Sequence, residues 1–371
     1  MQKATWMLVI VLVVGGTWLF YEKELVATPV GNSIKLGGVV SLTGIAAGYG
    51  EPARNAMQFA VEEINEGGGI ESRPVTLVVE DDQTKPVSAI SAFRKLTQID
   101  GVDGVVGGIF DFATIPLFPV ADAEKVAFIS PTNLRISGGL EPTGNSFVLM
   151  PDFSKVIREL KTYLFKSQTK KLGVVHFKSV FGQQIATTLS EIMAELNREP
   201  IVDEAYTTIG NNDFRTTILK LKQQKVDVVF LDMVDIDPVN FLARSRDLDY
   251  HPQVISYYGI VDSFSAPDKD KSLLEGVVIL NWESSSARFS ALYQKRYGVL
   301  PTHSAEKSYV AVYVMAQAIA ATKNREEVPA YLASHSFETP SGTIAFNADH
   351  AVNTTAVKIE MVKDGKLVPF Q

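Results

Sequence analysis

Residues 34–86 read IKLGGVVSLTGIAAGYGEPARNAMQFAVEEINEGGGIESRPVTLVVEDDQTKP, and the fold is decided by how this stretch is divided. Ile34 to Val40 is a short apolar run, the length of a buried strand. Ala53, Ala56, Met57, Ala60, Val61 and Ile64 then recur at helical spacing with charges between them. Gly67-Gly68-Gly69 stops that helix. Val75 to Val79 is a second strand, closed by Glu80-Asp81-Asp82. Working outward, residues 86–99 read as helix, 102–106 as strand, 113–124 as helix and 126–130 as strand. The succession βαβαβαβ predicts a parallel sheet covered by helices on both faces.

The rhythm then restarts. Residues 153–166 read as helix, 171–177 as strand, 182–197 as helix, 201–205 as strand and 212–224 as helix. Strands at 226–231, 254–258 and 276–280 follow, with a helix at 238–248 between the first two. Helices are predicted over 286–298 and 304–322, with a short one near 325–333, then strand-like runs at 343–346 and 356–362. Asp364-Gly365 is a hairpin signal. The chain therefore holds two α/β units of similar size. Periodicity alone leaves open whether the helices at 286–322 cap the second unit or cross back to the first.

Composition agrees with a packed protein: of 371 residues, 46% are hydrophobic and 21% charged. The length alone suggests about two or three domains. A net charge of −7 argues against nucleic acid as a partner, because phosphate binding needs a basic surface. Cysteine is absent, which excludes disulfides, thiolate metal sites, a cysteine nucleophile and a lipidated N-terminal cysteine. The five histidines show no metal-ligand spacing. No metal and no cofactor are expected.

The N-terminus stands apart from the fold. Thr5 to Tyr21 carries no charge, is preceded by Lys3 and is followed by Glu22-Lys23-Glu24. As a helix it would span about 26 Å, enough for a thin bilayer core. Trp6, Trp18 and Tyr21 sit near its ends, as interfacial aromatics do. An uncleaved signal anchor is the favoured reading. A cleaved signal is the second, although Leu25 and Ala27 make a poor cleavage site, and a buried core helix is the third. An anchor would put everything after Glu24 outside the cytoplasm, with residues 22–32 as a tether.

Catalytic motifs are sparse. Gly48-Tyr49-Gly50-Glu51-Pro52-Ala53 matches G-x-G-x-x-A, but the strand ends about eight residues earlier and no acidic residue follows at the right strand end, so dinucleotide binding is weakly supported. Neither a P-loop nor a G-x-S-x-G elbow occurs. Asp81, Asp82, Asp232, Asp235 and Asp237 follow strands, where α/β sites form. Capping is the expected role of Asp81 and Asp237, while Asp235 could face a ligand. His176 ends a strand and is expected to be a hydrogen-bonded structural residue.

Five segments, in order, resemble the leucine/isoleucine/valine-binding protein family, the type I periplasmic binding proteins of ABC importers. They are the opening stretch with its SLTG, Tyr49-Gly50 and EDDQTKP, then GVVGGIFDFAT (104–114), VAFISPTN (126–133), KKLGVVHFKSVFGQQIATTL (170–189) and DVVFLDMVDIDPVNFLARSRDLDY (227–250). The resemblance spans about residues 33–363. It implies two doubly wound parallel-sheet lobes joined by a three-strand hinge, a clamshell preceded by one N-terminal transmembrane or signal helix. Crossings are expected near 151, 282 and 343. That places 33–151 plus 283–342 in lobe 1, 152–282 plus 343–371 in lobe 2, and 1–32 in the anchor and tether.

By the same resemblance, ligand residues are expected at Tyr49, at Asp111, Phe112, Ala113 and Thr114, at Thr132 and Asn133, at Phe181, at Asp235 and at Tyr258. Three departures stand out. Phe112 occupies the position where the family's amino-acid binders usually carry a serine for the ligand carboxylate. Leu134 occupies a position that usually bears a hydroxyl. No acid stands near Gly259 to hold an ammonium group; Asp262 lies three residues later. The aromatics suggest an apolar or planar ligand.

The expected function is therefore that of an extracytoplasmic solute-binding protein, not an enzyme. It would capture an amino acid, or a related small acid or amide, and deliver it to an ABC permease as a monomer. The alternatives are a ligand-sensing ectodomain acting through a partner protein and, with less support, an α/β enzyme. A repressor sharing the clamshell would need an N-terminal helix-turn-helix, where a membrane segment stands instead.

Overall fold

A computed structural model describes residues 33–131, 142, 144–210, 212–264, 269–281, 286–353 and 357–370. The expected N-terminal helix, Thr132, Asn133 and Leu134, and the crossing at 282 lie outside the described residues.

The first sheet contains β1 (Ile34–Val40), β2 (Val75–Asp81), β3 (Gly104–Gly107), β4 (Phe128–Ser130) and β5 (Ser146–Val148). They are parallel in the order β2-β1-β3-β4-β5. The second sheet contains β6 (Leu172–Phe177), β7 (Val202–Tyr206), β8 (Val228–Asp232), β9 (Gln253–Tyr257) and β10 (Val278–Asn281). These five are also parallel, in the order β7-β6-β8-β9-β10. A small antiparallel pair follows, β11 (Ser336–Thr339) with β12 (Gly342–Ala345). Last come β13 (Lys358–Lys363) and β14 (Lys366–Pro369), which add to β10 antiparallel. Asp364 and Gly365 turn that final hairpin with φ of 51° and 68°, the positive angles a tight two-residue turn requires.

Both sheets thus follow the strand order 2-1-3-4-5. In this winding the chain leaves the first strand to one side and the third to the other. A crevice opens between those two strands at their C-terminal ends. Central strands such as β8 are buried throughout because helices cover both faces, which is why they read as unbroken apolar runs.

The helix Ala47–Glu66 and the far later helix His303–Ala320 share one face of the first sheet. Phe59, Phe289 and Tyr309 lock them together with ring centroids 4.8–6.4 Å apart. Glu63 ties the same elements, pairing with Arg288 and accepting from the Tyr309 hydroxyl. Phe337, Phe346 and Ala351 are buried with the first sheet, and Ala351 bridges Val148. The chain meets the second sheet at Lys358, beyond residue 343, where the third crossing was expected. The reason is packing: Phe346 is only 8% exposed and packs at a tilt against Phe147, with ring centroids 4.9 Å apart, so it is buried with the first sheet.

Candidate ligand-binding cleft

Each lobe sets an aromatic residue at its mouth by the same device. In the first, Tyr49 sits in the opening turn of the helix after β1, followed by Gly50. A Cβ on Gly50 would lie 1.9 Å from the Ser41 carbonyl oxygen, so only glycine lets the helix start that close to the strand end. In the second, Phe181 opens the helix Val180–Glu195 after β6, followed by Gly182. A Cβ there would lie 2.2 Å from the Phe177 carbonyl oxygen. Ser179 caps this helix, its hydroxyl oxygen accepting the Gly182 N–H at 3.1 Å.

The two mouths meet around a cavity of about 120 Å³. Tyr49, Ile109, Phe110, Asp111, His303 and Ser304 line it from the first lobe. Phe177, Ser179, Phe181, Ile209, Asp232, Val234, Tyr257, Gly259 and Asp262 line it from the second. Hydrogen bonds span it. Asp111 Oδ2 accepts the Phe181 N–H at 3.1 Å, and the Tyr49 hydroxyl oxygen accepts the Asp235 N–H at 2.9 Å. Asp262 Oδ2 accepts the His303 N–H at 3.2 Å.

Three carboxylates border the cavity, and among the described lining residues there is neither lysine nor arginine. Burial pushes the Asp232 carboxyl up to about 6; the hydrogen bond from the Tyr257 hydroxyl, at 2.8 Å, and nearby His176 pull the other way. Burial pushes Asp262 up to about 7, opposed by the His303 N–H. Asp111 is raised by burial too, against hydrogen bonds from the Phe181 and Phe112 N–H groups and the Ser179 hydroxyl. Burial likewise raises the Tyr49 hydroxyl, which stays protonated.

The sequence-predicted residues divide into groups. Tyr49, Asp111 and Phe181 line the cavity. Phe112 stands behind it, stacked on Phe110 at 5.7 Å and leaning on Phe177 at 6.3 Å, so Phe110 presents the inner ring. Ala113 and Thr114 are buried under the loop, with Thr114 closely packed against Gly108. Asp235 is exposed and borders a neighbouring surface pocket that shares Tyr49 and Asp262 with the cavity. Tyr258 packs against His303 at 6.0 Å, while its neighbour Tyr257 faces the cavity.

The acids and histidine assigned to scaffolding are seen as such. Asp81 accepts from the N–H groups of Leu42, Thr43 and Gln83 and from the Thr43 hydroxyl. Asp237 holds Gly210 and Asn212. His176 is buried between the Phe177 carbonyl, at 2.8 Å, and Asp203, at 2.9 Å.

Asp262, three residues past Gly259, lines the cavity together with it. The turn Gly259–Asp262 is helical, and residues three apart share a helix face, so both line the cavity. His303 and Ser304 arrive from the start of a helix remote in sequence, and no local pattern marks them.

Two like-wound α/β lobes whose crevices face each other across one cavity define a bilobed small-molecule receptor. The family model described as periplasmic binding protein matches residues 33–366, and the chain belongs to that family. It is 30% identical over 200 residues to the Leu/Ile/Val-binding protein BraC3 of Rhizobium johnstonii, a match spanning 53% of each chain, about half the relative's length. It is 25% identical over 349 residues to the leucine-, isoleucine-, valine-, threonine- and alanine-binding protein of Pseudomonas aeruginosa, covering 85% of this chain and 86% of that one. In fold it is similar to a solute-binding protein of an ABC transporter from Rhodopseudomonas palustris, solved with 3,4-dihydroxybenzoic acid. The TM-score is 0.79 at 20% identity, covering 91% of this chain and 96% of that one.

Proposed function

We propose that this protein is an extracytoplasmic solute-binding protein. It captures one small organic molecule between its lobes and presents the closed form to an ABC importer in the membrane. The observation that carries the reading is the pair of hydrogen bonds spanning an aromatic-walled cavity, Asp111 to Phe181 and Tyr49 to Asp235. A ligand that touches both walls favours the closed arrangement over the open one, which is the differential binding that closure requires. Tyr49, Asp111, Phe181 and Asp262 are the residues we assign to the ligand's surroundings. The lobes divide near residues 151 and 282 and again past residue 352.

Among the described residues no helix is long and apolar enough to cross a membrane. We assign tethering to the uncharged run Thr5–Tyr21 as an uncleaved anchor, with the folded body acting as a monomer. Sequencing the mature N-terminus from the membrane and soluble fractions tests the anchor: a soluble chain starting near residue 28 would refute it.

Calorimetric titration with amino acids, amines, amides and aromatic acids tests the function. One compound class should bind saturably at one site per chain, and at 100 times its Kd should stabilise the fold by about 2.7 kcal/mol. Uptake of that compound should fall in cells lacking the protein. Unchanged uptake would separate binding from transport.

A further inference from the structure

We infer that the interlobe cavity selects a compact organic cation, an amine on an apolar or aromatic body, over zwitterions and free carboxylic acids. The inference rests on the solute-binding reading above and deepens it by giving the charge of the solute.

The cavity itself is the site, and its wall sets the sign. Asp111, Asp232 and Asp262 border it with no lysine or arginine among the described lining residues. Their hydrogen bonds differ. Asp111 receives the Phe181 N–H, and Asp232, only 4% exposed, receives the Tyr257 hydroxyl. Asp262 receives a single hydrogen bond from the described residues, the His303 N–H on Oδ2, which leaves Oδ1 as an acceptor for a ligand donor.

The serine hydroxyls of the wall are occupied by the protein, and the Tyr49 hydroxyl accepts the Asp235 N–H. Ser179 accepts the Gly182 N–H and its hydroxyl favours the charge of nearby Asp111, and Ser304 donates to the Tyr49 carbonyl. An entering carboxylate would meet buried negative charge without a compensating cation among the described residues lining this cavity, the costly arrangement in a low-dielectric site; Lys269 borders the neighbouring pocket that shares Asp262 and Tyr49. An ammonium group would instead complete the Asp262 carboxylate. Phe110, Phe177 and Phe181 add aromatic surface, which buries an apolar body and suits a cation better than an anion. Among the described residues no three His, Asp or Glu side chains converge closely enough to hold a metal ion, which points to an organic cation.

The test uses the full chain in detergent at pH 8 and two matched sets of probes. The first is phenethylamine, phenylalanine and 3-phenylpropionate; the second is isoamylamine, leucine and 4-methylpentanoate. Each set keeps one skeleton and changes only the charged groups. The expected result is an amine binding at least tenfold tighter than its amino acid, with no measurable binding of the acid. Asp262→Asn should weaken the amine at least tenfold. In the wild-type protein the same affinity should fall as pH drops from 8 to 6, which reads the charge of the whole wall, Asp262 with Asp232, Asp111 and His303 beside it, even if the variant does not fold.

Tighter binding of an amino acid or acid would overturn the charge assignment and leave the solute-binding reading in place. If neither set binds, mass spectrometry of the denatured protein decides. A released cation supports the inference, a released anion or zwitterion overturns it, and no released molecule counts against both readings.

Discussion

The carboxylate of Asp111, in the first lobe, accepts the N–H of Phe181, in the first turn of a second-lobe helix, at 3.1 Å. The first turn of any helix carries N–H groups without partners inside the helix. Here one of them finds its acceptor across the cleft. The bond ties the two lobes together in this structure, and the negative charge is well placed at the positive end of the helix.

Asp111→Ala should therefore loosen the closed form more than the fold. A lost capping carboxylate costs about 1 kcal/mol, or roughly a fivefold weaker ligand Kd by calorimetry. Asp111→Asn keeps an acceptor oxygen and should lose less. Equal losses for both variants would show that charge, rather than the hydrogen bond, holds the latch.

Tyr49→Phe removes the acceptor of the Asp235 N–H and keeps the ring stacked edge-on against Phe110 at 5.6 Å. One hydrogen bond of this kind is worth about 0.5–1.5 kcal/mol, so Kd should rise roughly 2- to 13-fold. The melting temperature without ligand should stay nearly constant.

Gly50→Ala and Gly182→Ala each drive a methyl group into a backbone carbonyl, 1.9 and 2.2 Å away. Each should destabilise by about 1–3 kcal/mol in urea titration and weaken binding as well, because the neighbouring aromatic moves with the helix start. Gly48→Ala, with nothing within 4 Å, is the control and should be neutral or slightly stabilising.

Asp232 and Asp262 titrate at about 6 and about 7 in the folded protein, against about 3.9 when unfolded. The folded state thus holds more protons between these values. The stability from these two groups is fully present below about pH 4 and is lost as pH rises through 6 and 7. Without ligand, the midpoint of urea unfolding should fall between pH 5 and pH 8. Asp262→Asn should flatten that slope, and an unchanged slope would show that Asp262 is not protonated in the free protein.

Much of the architecture was legible because strands buried on both faces announce themselves as apolar runs, and the mouth residues sit at strand ends and helix starts. Tyr49, Asp111 and Phe181, expected on that ground, line the cavity. Tyr257 was missed for Tyr258 because adjacent strand residues point to opposite faces, and β9 ends at Tyr257. Phe110 and Phe112 lie two apart in an irregular loop, where no periodicity tells which ring turns inward. Asp262 stands three residues past Gly259, and the helical turn between them brings both to the cavity. His303 and Ser304 depend on a long-range packing choice that periodicity left open.

That packing has a consequence for how the protein is made. The helix Ala47–Glu66 is completed early, yet the helix that covers its apolar side begins at His303. At about 5–20 residues per second, the ribosome takes roughly 10–50 s to travel between them. Throughout that interval the first lobe's nascent core has no lid, so the later lobe can complete most of its own sheet first. Birth order and folding order are then reversed. Whatever escorts the growing chain must shield the older half longer than the younger one.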